Sequence, residues 1–395
     1  MRERGVAIEV ASINPPDRPR EDLPAVEAAE AEATFYIKRS GKPMLAAKLI
    51  AITLLNPRAA WRGLRAAFGL GGWDLKARAF ALFYLAEAML VGNWMRRRKL
   101  THLHVHFGGP VATVGMLTSQ AWRVPWSLTL HGPDEFFDQN AFYLREKIEL
   151  SSFVFCISDF CRSQVLRIAP SVDDSRLEVI RLGVDCALLQ PSRRSASSVL
   201  AEVAFSAKPS VTLQSPIRIV CTGRMVAAKG HRILLEAVAQ LIASGVEPTL
   251  TLIGDGPERP SLQAECQRLE IVENVRFLGA LAHESTLAQV AQADIFVLAS
   301  FAEGLPVALM EAMALGIPCI STPIAAIPEL IHHRENGLLV PPANSEALFE
   351  AIARLVRDPE FRHRLGVDAR LTVELEYNLA TNLDLLAAAW ERRLT

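Results

Sequence analysis

From about residue 217 the chain alternates short β-branched apolar runs with amphipathic stretches. "IRIVCTG", "PTLTLIGDG", "NVRFLG", "DIFVLAS" and "IPCIST" have the length and composition of strands, and "HRILLEAVAQLIA", "RPSLQAECQRLE", "STLAQVAQA" and "VALMEAMAL" carry helical patterns between them. Such alternation predicts a parallel sheet with helices on both faces, a doubly wound α/β domain. The first half repeats the theme less cleanly, with strands expected at "VAIEVASI", "LTHLHVHF", "PWSLTLHG", "SFVFCISD" and "LEVIRLGV" and a helix-rich stretch over 43–100. Residues 191–216, rich in Ser and Pro, sustain neither period. The expected organisation is an N-terminal domain over 1–195, a linker over 196–216, a C-terminal domain over 217–375 and a last helix over 376–395 that packs back on the N-terminal domain. Two such domains would enclose a cleft, with ligands beyond the carboxyl ends of the strands.

Length and composition agree with this picture. A chain of 395 residues suits two domains, and 50% hydrophobic with 22% charged residues suits packed globular cores. The net charge of -1 gives no support for a nucleic-acid partner. Six scattered cysteines have no zinc-site spacing, and four of them, in or beside apolar stretches, read as small core residues of a reducing cytoplasm. The apolar run "PMLAAKLIAITLL" is interrupted by Lys48 and is shorter than the roughly 20 residues that span a bilayer. "MRERGVAIEV" lacks the features of a secretory signal.

The chemistry sits in the strand-to-helix loops. "GRMVAAKGHR" places Arg224 and Lys229 at a helix N-terminus, where free N–H groups and the helix dipole already favour anions. A charge pair 4 Å apart at an effective dielectric of 20 adds about 4 kcal/mol. The alternative is a solvated pair of surface cations. In "GDGPERPSL", Gly254 and Gly256 flank Asp255, but Arg259 occupies the third glycine's place of a dinucleotide fingerprint. The small residues permit a ligand to approach the backbone or simply make a turn. In "SFAEGLPVALMEAMALGIPCIST", Gly304, Leu305 and Pro306 make a turn, and Pro306 suits the first helical position. Glu303 precedes that helix, and Glu311 lies in its second turn among apolar neighbours, a costly place for a carboxylate without a partner.

In the first half, "THLHVHFGG" puts His102, His104 and His106 on one strand face. Neighbours on one face stand roughly 7 Å apart and no carboxylate is near in sequence, so a shared metal is not expected. His106, Gly108 and Gly109 are cleft candidates, with His102 and His104 structural. "SLTLHGPDEFF" ends a strand at His131, followed by Asp134. Over 43–100, Trp61, Phe68, Trp73 and Trp94 interleave with Arg58, Arg62, Arg65 and the "RRRK" run at 96–99. That mixture suits peripheral contact with an anionic membrane or an ordinary amphipathic domain face.

The two glutamates eight positions apart, preceded by "GRMVAAKG" and "GDGPERPSL" and followed by "IPELIHHRENGLLVPPANSEAL", resemble the retaining GT-B glycosyltransferases of family 4 over about residues 217–350. The resemblance implies two Rossmann-like domains facing a cleft. It implies that Arg224 and Lys229 grip the pyrophosphate of a nucleotide-sugar, that the backbone of Gly304, Leu305 and Pro306 faces phosphate and sugar, and that Glu311 holds the ribose hydroxyls. Glu303 would contact the transferred sugar, Leu278 of "FLG" would lie by the base, and Gly254 would border the donor. His131 would position the sugar, with Asp134 beside it, which makes Glu303 and His131 the catalytic candidates.

The chain lacks Asp-x-Asp. Fixed cations and helix dipoles stabilise the leaving group in GT-B enzymes, so neither a metal nor a cofactor beyond the nucleotide-sugar co-substrate is expected. The implied activity is hexosyl transfer from a UDP- or GDP-sugar to a saccharide or lipid-linked acceptor, in exopolysaccharide or lipopolysaccharide synthesis at the cytoplasmic face of the membrane. Two departures stand out. By the resemblance "GVAIEVASINPP" is expected to correspond to the family's second strand, which implies an N-terminal domain without the opening β-α unit, and Ala325 and Ala326 of "AAIPEL" stand where the family usually has glycines. A truncated non-catalytic relative that binds nucleotide or a partner, or a nucleotide-sugar epimerase, would share many of these features. Epimer formation without acceptor distinguishes the latter.

Overall fold

The alternation of strands and helices is present in the computed structural model, which describes residues 1–16, 19, 23, 25–39, 41–70, 74–132, 134–139, 142–191 and 216–394. In chain order the strands and helices are β1 (Ala11–Ser12), α1 (Ala25–Ala33), β2 (Phe35–Tyr36), α2 (Lys42–Leu55), α3 (Pro57–Gly69), α4 (Leu75–Arg98), β3 (Leu103–His106), α5 (Pro110–Trp122), β4 (Trp126–Leu130), α6 (Asp134–Phe137), α7 (Leu144–Leu150), β5 (Phe153–Cys156), α8 (Asp159–Ile168) and β6 (Leu177–Val179). There follow β7 (Ile217–Thr222), α9 (His231–Ala243), β8 (Pro248–Ile253), α10 (Arg259–Arg268), β9 (Val275–Gly279), α11 (His283–Val290), β10 (Ile295–Leu298), α12 (Val307–Ala314), β11 (Cys319–Ser321), α13 (Ile327–Leu330), β12 (Leu338–Leu339), α14 (Ser345–Arg357), α15 (Pro359–Glu376) and α16 (Leu379–Leu394).

The chain divides into two units. One comprises Met1–Ile157, Cys161–Ile180 and Leu386–Thr395, the other Ser158–Phe160 and Arg181–Leu385. The first contains a parallel sheet of order β3-β4-β5-β6, in which His106 stands opposite Thr129 and Leu130 opposite Cys156. Every residue of β4 and β5 is buried, as both faces of a parallel sheet are covered. "VAIEVASI" gives only Ala11–Ser12, paired with Phe35–Tyr36 in a separate two-stranded sheet. Its remaining backbone finds no strand to pair with among the described residues, and without a ladder the alternation does not suffice to make a strand.

The second unit has the parallel order β12-β11-β10-β7-β8-β9. Leu234, Leu235, Val238 and Leu241 recur at helical spacing on α9 and pack with Ile219, Leu250 and Leu252 of the sheet. Each such burial is worth about 1.5–3 kcal/mol. The strand order reverses between β7 and β10, whose Ile295 and Phe296 pair with Ile219 and Val220. The loops leaving β7 and β10 therefore emerge side by side at the topological switch point, the favoured ligand position of such sheets.

The units divide at 180/181, ahead of the 196–216 segment, which lies, save Pro216, outside the described residues. The reason is local pairing within the second unit. Val184 N donates to Tyr377 O at 2.9 Å, Leu379 N donates to Val184 O at 3.0 Å, and Arg370 Nη1 donates to Leu189 O at 2.6 Å. At the other end, α16 begins in the second unit, and its residues from Leu386 onward belong to the first. There Trp390 stands edge-on to Phe153 and Phe155, with ring centroids 5.4 and 5.5 Å away.

Candidate functional site

In the second unit the loops after β7 and β10 are zipped together. Phe301 N donates to Ala228 O at 2.7 Å. Gly230 has φ 65°, and a Cβ there would come within 2.0 Å of Ala299 O. Only glycine allows both this conformation and this approach. The zipper carries Lys229 to Glu303: Lys229 Nζ donates to Glu303 Oε1 at 2.5 Å, and Ser300 Oγ donates to the same oxygen at 2.6 Å. Glu303 is 7% exposed. Its Oε2 has no hydrogen-bond partner among the described residues.

Arg224, in the same loop, is exposed, and its guanidinium has no side-chain partner among the described residues. Lys229 and Arg224 thus differ in this structure, one neutralised by a carboxylate and the other open to an anion. His231 at the start of α9 is buried, and its Nδ1 has no hydrogen-bond partner among the described residues. Burial, with a smaller contribution from Lys229, holds its pKa down to about 4.

The glycines of "GDGPERPSL" have an internal role. Gly254 has φ 137°, its N donates to Gly279 O at 2.8 Å, and a Cβ would meet Gly223 O at 2.0 Å. A Cβ at Gly256 would meet Met225 O at 2.4 Å. What approaches this backbone closely is the chain's own β7 loop. Arg259 pairs with Asp255 at 3.2 Å, and Leu278 is exposed next to Gly279.

The helix after the Gly-Leu-Pro turn begins at Val307, with Pro306 at the cap in extended conformation (φ -74°, ψ 115°) rather than at the first helical position. Leu305 is buried and anchors the turn, leaving its backbone and that of Gly304 for other contacts. Glu311 does have a partner, one the sequence did not announce. His283 Nε2, on the first residue of α11, lies 3.4 Å from Glu311 Oε1. Burial raises the Glu311 pKa, and the imidazole opposes this.

In the first unit the ends of β3 and β4 form a second cluster. His106 Nδ1 and His131 Nε2 are 3.2 Å apart. The Phe107 ring stacks on His131 with centroids 4.2 Å apart, Phe107 itself having φ 67°. Burial, then the neighbouring His106, holds the His131 pKa down to about 4, so its imidazole is neutral near pH 7. Two buried charges fix this corner. Glu135 accepts hydrogen bonds from Gly108 N (2.6 Å), His131 N (2.9 Å) and Gly132 N (3.0 Å). Lys147 Nζ donates to Gly108 O (2.7 Å) and Gly109 O (2.9 Å). A Cβ at Gly108 would stand 2.7 Å from Leu144 Cδ1, so this glycine serves packing.

His102 and His104 are engaged internally. His102 Nε2 and His104 Nδ1 lie 2.7 and 2.8 Å from Ser127 Oγ, and His104 Nε2 lies 2.8 Å from Thr129 Oγ1. Trp390 is edge-on to both rings. Among the described residues no group of three His, Cys, Asp or Glu side chains could hold a metal ion. Asp134 opens α6, but its side chain lies outside the described atoms, as do Pro133 and Trp73.

Glu135, Lys147, Ser300, His231, His283 and Trp390 were not legible as site or support residues. Glu135, Lys147, His283 and Trp390 gain their meaning from partners on other elements, Ser300 from the Glu303 carboxylate its loop folds onto it, and His231 from burial, while "REKIEL" reads as the polar face of a surface helix. A hollow of about 410 Å³ between His332–Asn336 and α15, lined by Arg334, Arg364 and Asp368, contains none of the loop residues above.

Comparison with known proteins covers both units. Residues 1–188 match the model of Glycosyltransferase Family 4, and residues 216–358 match that of Glycosyl transferases group 1. The chain is 26% identical over 309 residues to the putative teichuronic acid biosynthesis glycosyltransferase TuaC of Bacillus subtilis (strain 168), covering 76% of this chain and 73% of that protein. It is 34% identical over 181 residues to the putative colanic acid biosynthesis glycosyltransferase WcaL of Escherichia coli (strain K12), covering 44% of this chain and 45% of that protein. The crystal structure of Anabaena Alr3699/HepE in complex with UDP-glucose superposes with a TM-score of 0.65 at 21% identity, over 77% of this chain and 82% of that one. At that identity the likeness is one of fold, two Rossmann-like units of the GT-B type.

Proposed function

Because the chain belongs to the family 4 glycosyltransferases, we propose that it transfers a sugar from a nucleotide-diphosphate sugar, a UDP- or GDP-sugar, to a saccharide or lipid-linked acceptor with retention of configuration. The observation that carries this reading is the meeting of Lys229 and Glu303, 74 residues apart in sequence, at the switch point of the second sheet. The names of the relatives, which concern teichuronic and colanic acid biosynthesis, support a role in cell-surface polysaccharide synthesis. The HepE complex supports a uridine nucleotide as donor. The reading puts the enzyme in the cytoplasm, at the inner face of the membrane where such acceptors are extended.

In this mechanism Arg224 and Lys229 bind the diphosphate and stabilise the charge that develops on it as the glycosidic bond breaks. The N-terminus of α12, with the free N–H groups that follow Gly304, Leu305 and Pro306, adds a dipole of the same sign. A donor phosphate competes with Glu303 for the Lys229 ammonium. Released from Lys229, the Glu303 carboxylate is free to bond the sugar near its reacting carbon. Glu311 accepts from the ribose hydroxyls in place of His283. Neutral His131 positions the sugar through a ring nitrogen, Leu278 borders the base, and leaving-group stabilisation by these fixed groups requires no metal.

Saturation-transfer NMR of the protein against UDP-, GDP-, ADP- and dTDP-sugars tests the donor site and identifies its nucleotide. Lys229→Ala is expected to abolish donor binding. Glu303→Gln is expected to lower turnover about 100-fold or more while changing donor affinity less than tenfold. Wild-type binding and turnover in both variants would remove the assignment.

A further inference from the structure

Helix α3 presents its large side chains to solvent and its small ones to the core. Ala59, Gly63 and Ala67 are buried, and a Cβ at Gly63 would stand 2.5 Å from Leu85 Cδ1 of α4. Trp61 is 69% exposed and Phe68 49%. Arg58, Trp61, Arg65 and Phe68 follow one another at spacings of three, four and three residues, one helical stripe, and all four are exposed. Arg62 turns away from that stripe and donates through Nε and Nη2 to Ala121 O. The preceding α2 behaves alike: Ile52 is buried while Met44, Ile50, Leu54 and Leu55 are exposed. Large apolar groups left outside while alanine and glycine fill the inside mark a surface built for another contact.

Charge identifies what covers it. Between Glu32 and Asp74 the chain has no Asp or Glu, yet it has Lys38, Arg39, Lys42, Lys48, Arg58, Arg62 and Arg65. The whole protein carries a net charge of -1, so positive charge is concentrated on this segment. Indole and phenyl groups alternating with guanidinium groups match the interfacial layer of a bilayer, where headgroup phosphates lie directly above acyl chains. Among the described residues no helix is long and apolar enough to cross a membrane, which leaves these helices lying along it.

We propose that α2 and α3 of the first unit dock on a bilayer bearing anionic phospholipid headgroups, with Trp61 and Phe68 at the acyl boundary and Arg58 and Arg65 on the phosphates. The proposal deepens the reading of a lipid-linked acceptor and rests on it for its purpose, since docking brings the enzyme to an acceptor held in the membrane. The full chain is sedimented with phosphatidylglycerol/phosphatidylcholine vesicles and with phosphatidylcholine alone, without nucleotide, at low and high salt. Binding to the anionic vesicles that fades with salt is expected.

Each of Arg58→Gln and Arg65→Gln should weaken vesicle binding about fivefold, and Trp61→Ala with Phe68→Ala about tenfold or more. Leu188→Ala and Leu375→Ala, exposed residues of the second unit, should leave it unchanged. Donor binding in solution should match wild type in every variant. Vesicle binding without any donor binding would remove the transferase reading and leave the docking surface standing. No sedimentation at low salt, equal sedimentation by wild type and stripe variants, or a dimer dissolved by Trp61→Ala would overturn the proposal, the last by showing that a second copy covers this face.

Discussion

Each unit sets a lysine and a buried carboxylate beside the loops that leave its strands, Lys147 buried in the first and Lys229 partly exposed in the second, and the two pairs are wired differently. In the first unit, Glu135 and Lys147 bond the backbone: three N–H groups on one side and two carbonyls on the other. In the second, Lys229 and Glu303 bond each other, and the Ser300 hydroxyl donates to the same Oε1. Charges satisfied by backbone fasten loops and cannot be released without unfolding them. A side-chain pair can be exchanged for a ligand, because an incoming phosphate replaces the carboxylate on the lysine. Similar residues therefore give a fastener in one unit and an exchangeable site in the other.

The largest expected effect that would break this contrast is on stability. Lys147→Met takes the ammonium from the buried Gly108 carbonyl and the compensating charge from Glu135, while Gly109 O keeps Ala112 N and Thr113 N as donors, and should cost about 3 kcal/mol in denaturant unfolding. Its pH dependence sharpens the point. Burial lowers the Lys147 pKa from 10.5 to about 7. The unfolded chain then binds more protons than the folded one between those values, so stability rises with pH across that window, by up to about 1.4 kcal/mol per unit. Lys147→Met should flatten that slope in melts recorded from pH 7 to 10. A flat wild-type profile would mean that the buried ammonium is fully compensated.

Lys229→Met should cost only about 1 kcal/mol, since Ser300 remains on Glu303 and water takes the place of a partly exposed ammonium. An equal loss in both lysine variants would erase the distinction between fastener and site. The smallest effect concerns a departure from the family pattern. Ala325 stands where glycine is usual and has φ 45°. Ala325→Gly should relieve this left-handed backbone and stabilise the second unit by about 0.5–1 kcal/mol, read as a shift in denaturant midpoint.

Much of the second unit was legible in its sequence. The alternation from "IRIVCTG" to "IPCIST" corresponds to β7 through β11, and the motif loops lie where strand-end loops of a doubly wound sheet should. The first unit was less so: "VAIEVASI" has the pattern of a strand but too little to pair with, and "LEVIRLGV" yields only Leu177–Val179. The catalytic and binding candidates all came from local motifs. Where meaning depends on a distant partner, the sequence was silent: Glu311 with His283, Gly254 with Gly223, and His104 with Trp390.

The sequence by itself determined the periods of the elements and the residue types offered at each strand end, because both are short-range properties of side-chain spacing and turn chemistry. Only the tertiary structure decided which of those residues meet. Strand order set β7 beside β10 and so joined Lys229 to Glu303, and the packing of α7 beneath two loops buried Lys147. Pairing, burial and the pKa shifts that follow depend on distances across the fold, which no local pattern encodes.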